Sequence, residues 1–353
     1  MSVSDLWDRL KSGEPFFIAE AGVNHLGSLE LGERLIKEAK KAGAHAIKFQ
    51  SYKASTLCTK DAPRFWDWEG EIEKDGSQHD SYSHLDSFGA AEHAELKRLC
   101  DSYGIEFMST PFDFEAVDYL DDLGIRAFKV ASCDVTNHPL LERIASTGKI
   151  VMLSTGASNI EEVAAAVQVL QRGTSMVVVM HCNLKYPTAD DEINLRMINH
   201  LAREFPDCVM GLSDHTMNMW TPAIAHAMGA SVIERHFTVD KTLGTSADHW
   251  LSADPTDVSN ILQNINFIDR MLGTFQKEPT ASEIRARKYA RRSVVAARKI
   301  NKGEIFDLDN LACKRPGTGI SPSKISEIVG CSATKDLPAD HIIMTDDFKG
   351  NSE

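Results

Sequence analysis

Missing from this sequence are a C-x-x-C pair, an apolar run near the roughly 20 residues of a membrane span, and any surplus of positive charge. Each absence excludes a class of protein. The seven cysteines are scattered and odd in number, which fits reduced thiols and not a disulfide framework or a zinc ribbon. The opening stretch, MSVSDLWDRLKSGE, mixes acidic and polar residues and lacks the apolar core of a signal peptide. The net charge of −13 argues against general binding to nucleic acid or to an anionic membrane. An anionic small molecule remains admissible, provided that a local cationic pocket receives it. A cytoplasmic, soluble protein is therefore expected. Hydrophobic content of 42% and charged content of 25% are ordinary for a globular chain. A length of 353 residues exceeds what one core usually supports, so two domains are predicted.

What the sequence does have is a regular alternation between about residues 15 and 275. Apolar, β-branched runs recur as FFIAEAG (16–22), AHAIKFQ (44–50), GIEFMST (104–110) and RAFKVAS (126–132). They continue as KIVMLSTG (149–156), SMVVVMHC (175–182), CVMGLSD (208–214) and SVIERHF (231–237). Stretches of helical period such as LELGERLIKEAKKAG separate them. Near-continuous apolar strands, each followed by a helix, predict a parallel sheet covered on both faces. Eight such units over roughly 250 residues predict an α/β fold of the TIM (β/α)8 barrel kind. An open, doubly wound sheet is the alternative, but the first turn, EAGVNHLG, lacks the G-x-G-x-x-G of a dinucleotide fold.

The strand ends carry the chemistry. They finish in Glu20, Lys48 with Gln50, Ser109 with Thr110, and Lys129 with Ser132. The later four finish in Ser154, His181, Ser213 with His215, and Glu234 with His236. In a barrel these ends converge on the C-terminal face, where active sites of the fold lie. Ordinary strand-to-loop polarity would favour Asn, Asp and Gly over Lys and His. Two lysines with neighbouring hydroxyls predict an anion pocket. His215 and His236, on adjacent strands, can share a divalent metal, although a lone histidine is more often a satisfied core residue.

Beyond residue 278 the alternation stops. A polar, helix-like segment over 278–289 leads to short apolar runs joined by Gly and Pro turns. The expected organisation is a barrel over 1–277, a linker over 278–289 and a small domain over 290–353. Its RPGTG loop (315–319) reads as a plain turn or as an arginine displayed by a rigid Pro-Gly loop.

The motifs IAEAGVNHLG, IKFQ, STPFD, FKVAS, LSTG, GLSDHT, IERHFT and KRPGTG, in that order, resemble the sialic acid synthases and the wider nonulosonic acid synthase family. The resemblance covers nearly the whole chain, including a C-terminal antifreeze-like (SAF) domain. It implies a TIM barrel followed by that domain, in a domain-swapped homodimer. It also implies a transferase that condenses phosphoenolpyruvate with an open-chain N-acylated hexosamine and releases phosphate. By resemblance, Lys48, Thr110, Lys129, Ser132, Ser154 and Ser213 hold phosphoenolpyruvate, and His215 and His236 hold a manganese or magnesium ion. Glu20 and Asp134 are the catalytic carboxylates, Gln50, Tyr186 and Asp248 contact the sugar, and Arg315 reaches the partner subunit's substrate. N-acetylmannosamine, giving N-acetylneuraminate, is the expected acceptor, with diacetamido-trideoxyhexoses that lead to legionaminic or pseudaminic acid as rivals.

Departures from the family pattern cluster at the sugar end. Asp134 stands where Glu is usual, which retracts the carboxylate by about 1.5 Å, one C–C bond. Leu184 replaces an expected polar residue, for which Asn183 is a candidate substitute. The segment 59–84, with Trp66, Trp68 and Tyr82, is divergent and reads as an aromatic lid or as packing beside the barrel. Two other classes stay open on the residues alone. A Schiff-base aldolase would use Lys48 or Lys129 as nucleophile, and a binding protein would leave the ring of Lys, His and Glu without purpose.

Overall fold

Residues 3–66, 76–243 and 248–350 are described in the computed structural model. The chain divides into two units, Met1–Gly273 and Thr274–Glu353. The first is a closed barrel of parallel strands in sequence order. They are β1 (Phe16–Gly22), β2 (Ala46–Ser51), β3 (Glu106–Pro111), β4 (Ala127–Val130), β5 (Ile150–Ser154), β6 (Met176–Cys182), β7 (Val209–Asp214) and β8 (Val232–His236). β1 closes the barrel by pairing with both β2 and β8. All eight sequence-predicted runs are strands, and their ends agree with the runs to within one or two residues.

Strand alternation explains both the apolar runs and the site. Outward residues such as Phe17, Ile47, Phe107, Leu153 and Leu212 pack beneath the surrounding helices in one large core. Inward residues change character along each strand. The N-terminal rungs are apolar: Phe16 and Ile18, Ala46, Met108, Ala127, Ile150 and Met152, Met176 and Val178, Val232. The next inward positions are Glu20, Lys48, Thr110, Lys129, Ser154 and Glu234, and these line a cavity. Leu6 and Leu10, on the helix Val3–Ser12, join the apolar rungs and are buried. That helix stoppers the end opposite the polar rungs.

Helix ends in the first unit use local caps. The Ser28 side chain accepts from the Leu31 N–H ahead of Leu29–Ala42, and Asp113 accepts from the Ala116 N–H ahead of Phe114–Asp122. No helix among the described residues is long and apolar enough to cross a membrane.

The second unit has a core of its own, built from residues such as Val294, Ile300, Phe306, Ile328 and Ile343. Antiparallel pairs join Ser293–Ala296 to Leu311–Lys314 and Ser332–Ala333 to Phe348–Lys349. The short helix Ile284–Tyr289 precedes the first of these strands.

Candidate active site

Four charged side chains meet at the inner polar rung. Lys48 Nζ lies 2.6 Å from Glu20 Oε2 and 3.9 Å from Glu234 Oε2. Lys129 Nζ lies 3.6 Å from Glu234 Oε1, to which the Ser213 hydroxyl donates at 3.0 Å. Lys48 also donates to the Thr110 hydroxyl at 3.0 Å, and Gln50 Nε2 donates to Glu20 Oε1 at 3.0 Å. Register makes these meetings possible, because Glu20 pairs with Lys48 on one side and with His236 on the other. Gly22, at φ 52°, ends β1 where a Cβ would come within 3.3 Å of both Gln50 Nε2 and Glu20 Oε1. Glycine therefore leaves room for that contact.

All four charges are buried. An isolated buried charge is strongly unfavourable, so two ammoniums and two carboxylates form a mutually compensated set. Burial alone would lower the Lys48 pKa, but Glu20 and Glu234 outweigh it and hold it above the ordinary value. Burial likewise opposes ionisation of Glu234, yet Lys129 and Lys48 hold its carboxyl well below the usual range. The sequence marked Glu234 as a polar strand end but gave it no role beside those of the lysines and Glu20. The signal was present, since Glu234 lies two residues before His236 and so on the same face of β8.

Hydroxyls and backbone complete the rung. The Ser132 hydroxyl accepts from the Gly156 N–H at 2.9 Å, and a Cβ on Gly156 would meet Leu184 N and Ser132 Oγ at 2.9 Å. The Ser154 hydroxyl is buried without a hydrogen-bond partner and belongs to the cavity lining. A buried orphan of this kind fits a ligand's acceptor.

Next to this rung stand the two histidines, with ring centroids 5.3 Å apart. His215 Nδ1 lies 2.7 Å from the Asn183 carbonyl oxygen, which assigns the proton to Nδ1 and leaves Nε2 with its lone pair. Tyr186 packs on the His215 ring at 4.0 Å between centroids. His236 Nδ1 is buried with no hydrogen-bond partner, and Asp248 Oδ2 lies 3.5 Å away. Burial opposes ionisation of Asp248, but His236 and then His215 hold its pKa below the ordinary value. Two imidazoles, one with a fixed tautomer and one with an unsatisfied buried nitrogen, fit a divalent cation. Among the described residues, no group of three or more His, Cys, Asp and Glu is arranged to hold a metal. The pair would therefore leave positions on the ion for water or substrate.

The cavity above has a volume of about 920 Å³. All the sequence-predicted site residues except Arg315 line it, including Asp134, Tyr186 and Asp248. Asp134 Oδ1 accepts from Asn137 Nδ2 at 2.9 Å, and burial raises its carboxyl above the ordinary value despite that bond and one from Cys133. Leu184 lines the wall, whereas Asn183 turns its amide nitrogen to the Glu192 carbonyl at 3.0 Å. Asn183 thus contributes its carbonyl to His215 rather than a side chain to the cavity. Tyr52, Phe65, Trp66 and Tyr82 form a contiguous aromatic wall, with Trp66 and Tyr82 at 5.8 Å and Tyr52 and Tyr82 at 5.6 Å between centroids. Trp68 lies outside the described residues.

Arg315 belongs to the second unit, where it is exposed. Its loop is pinned to the chain before it. The Ser293 hydroxyl donates to the Pro316 carbonyl at 2.6 Å and accepts from the Gly319 N–H at 2.8 Å. The Gly317 N–H donates to the Lys288 carbonyl at 2.9 Å. The loop backbone is thus held at three points.

Comparison with known proteins identifies the family. The chain belongs to the NeuB family, which matches residues 35–277, and the SAF domain matches residues 291–349. The N,N'-diacetyllegionaminic acid synthase of Legionella pneumophila is 39% identical over 92% of both chains. The protein of the same name from Campylobacter jejuni is 38% identical, covering 92% of this chain and 98% of its own. A crystal structure of N-acetylneuraminic acid (sialic acid) synthetase from Leptospira borgpetersenii aligns with a TM-score of 0.68 at 34% identity, over 78% of this chain and 90% of that one.

Proposed function

We propose that this protein is a nonulosonic acid synthase. It condenses phosphoenolpyruvate with the open-chain form of a diacetamido-trideoxyhexose and releases inorganic phosphate. The observation that carries the reaction is the buried rung of Lys48, Lys129, Glu20 and Glu234 beside the His215–His236 pair. Lys48 and Lys129, with Thr110, Ser132 and Ser154, supply donors to the phosphate and carboxylate of phosphoenolpyruvate, and Ser213 joins them by turning its hydroxyl from Glu234 to the ligand. Gln50, Tyr186 and Asp248 contact the acceptor and place its aldehyde carbon against the methylene carbon. A divalent cation on His215 and His236, manganese or magnesium, would supply Lewis acidity to the aldehyde oxygen.

The methylene carbon donates its π electrons to the aldehyde carbon, forming the C–C bond, and the aldehyde oxygen takes up a proton. Water adds to the resulting cationic carbon and loses a proton. The tetrahedral intermediate then collapses with C–O cleavage, and phosphate leaves. Glu20 is engaged by Lys48 and Gln50, which favours an orienting role. Asp134, with its raised pKa, suits proton transfer to or from the oxygens at the cavity wall.

Support for the acceptor comes from Leu184 and the aromatic wall, which face the cavity where a polyhydroxylated sugar would need donors and acceptors. Deoxy carbons and acyl methyls suit such a wall. The two legionaminic acid synthases among the relatives point the same way. The test is phosphate release from phosphoenolpyruvate across a panel of hexosamines. The diacetamido-trideoxyhexoses are expected to give the highest kcat/KM, with N-acetylmannosamine at least tenfold lower, roughly the discrimination of one or two buried apolar groups. A reversed order would reject this acceptor, and no release with any sugar would reject the reaction.

A further inference from the structure

β8 places three ionisable residues in a row, Glu234, Arg235 and His236. Alternation sends the first and third into the barrel and the middle one outward. Arg235 is nevertheless buried. Its Nη1 donates to Asp214 Oδ2 at 2.9 Å and to the Asn218 carbonyl at 2.6 Å, and its Nη2 donates to the Thr216 carbonyl at 2.7 Å. Asp214 Oδ1 accepts from the N–H and hydroxyl of Thr216 at 2.9 and 2.8 Å. Asn218 Oδ1 closes the far end by accepting from the Thr221 N–H at 2.8 Å. The turn after β7 is thus wrapped around one guanidinium, and His215 is its second residue. From the other side, the His215 carbonyl accepts from the Thr188 N–H at 2.9 Å.

We propose that Arg235 is a positioning residue for His215. Its guanidinium fixes the 214–218 turn and so holds the His215 imidazole in place relative to His236, its own neighbour in sequence. The inference rests on reading the histidine pair as a divalent-cation site. Two arguments separate it from a role in holding the fold. A buried ion pair is a weak source of net stability and can often be replaced by apolar residues without loss, so its presence calls for a geometric reason. Moreover, all three acceptors of the guanidinium lie on the turn that carries His215. A planar fork can satisfy several acceptors at fixed angles, which a lysine ammonium cannot.

The test uses full-length protein stripped of metal by chelation. Manganese alone is titrated in, with electron paramagnetic resonance reporting the free ion, and calorimetry measures phosphoenolpyruvate binding to the metal-free protein. Arg235→Lys is expected to weaken manganese binding by about tenfold or more, the range for groups that orient metal-binding imidazoles. Phosphoenolpyruvate binding should stay within about twofold, because the anion contacts lie on other side chains. If Arg235→Lys does not fold, Thr216→Val keeps the ion pair, removes a hydroxyl contact to Asp214, and is expected to weaken manganese binding several-fold. Wild-type manganese affinity in a folded variant overturns the proposal even if Tm falls, since a purely structural arginine lowers Tm alone. A parallel loss of phosphoenolpyruvate binding also overturns it, by showing general loosening. Should the wild-type protein take up no manganese, the cation-site reading fails first and the positioning role falls with it.

Discussion

Asp134 is the residue at which stability and chemistry pull apart. Its carboxyl is raised chiefly by burial, so the native state holds the proton more tightly than the unfolded chain does. The ionised form therefore costs stability. That cost is absent below the ordinary carboxylate pKa, grows as pH rises through the folded value, and is constant above it. Asp134→Asn is expected to raise Tm at pH 7, and the gain should vanish below about pH 4, near the ordinary carboxylate value. Turnover should fall by about two orders of magnitude or more, the usual size of a lost proton-transfer group. Thermal unfolding across pH, paired with phosphate release, measures both. A lower Tm at pH 7 would show that the carboxylate's bonds to Asn137 and Cys133 outweigh its desolvation.

Among the elements, the eight strands were legible because helices cover their outer faces and the barrel interior covers the other. Both faces are then apolar over most of their length, and the runs read as continuous. The helix Val3–Ser12 was not legible as a stopper. Leu6 and Leu10, with Trp7 packed partly buried against the same cluster, mark its buried face, but that short pattern does not say which end of a barrel it meets. Most of the site was also legible, since lysines and histidines at strand ends are conspicuous. Arg235 was not, because the sequence shows three adjacent ionisable residues while only the pleat says which one faces the helices. The side chain of Asn183, a candidate substitute only with a shifted loop, instead has its amide drawn to the Glu192 carbonyl. The stopper helix has a testable role. Leu10→Ala should lower stability by about 2–5 kcal/mol, as seen in denaturant midpoints, while kcat per folded molecule stays unchanged because the polar rung lies at the other end. A matching loss of kcat would place the helix in the chemistry.

At the scale of the whole molecule, the expected role of Arg315 needs two chains. A SAF domain over 291–349 that follows the barrel would let one subunit's loop serve its partner in a two-fold dimer. Arg315→Ala and His236→Ala should each be nearly inactive alone. Co-expressed at equal levels, they should recover roughly a quarter of wild-type sites, because a mixed dimer has one barrel with His236 that receives the partner's Arg315. No recovery above the single variants would rule out action across the interface. The barrel's depth carries a different consequence. The apolar and charged rungs lie on the strands, whereas the aromatic wall comes from the single stretch 52–82 after β2, so a lineage can rewrite that wall without disturbing what lies beneath. Transplanting the 52–89 segment from a synthase with another acceptor should therefore shift preference part of the way toward that acceptor, since Leu184, Tyr186 and Asp248 stay behind, with the grip on phosphoenolpyruvate passing through the exchange intact.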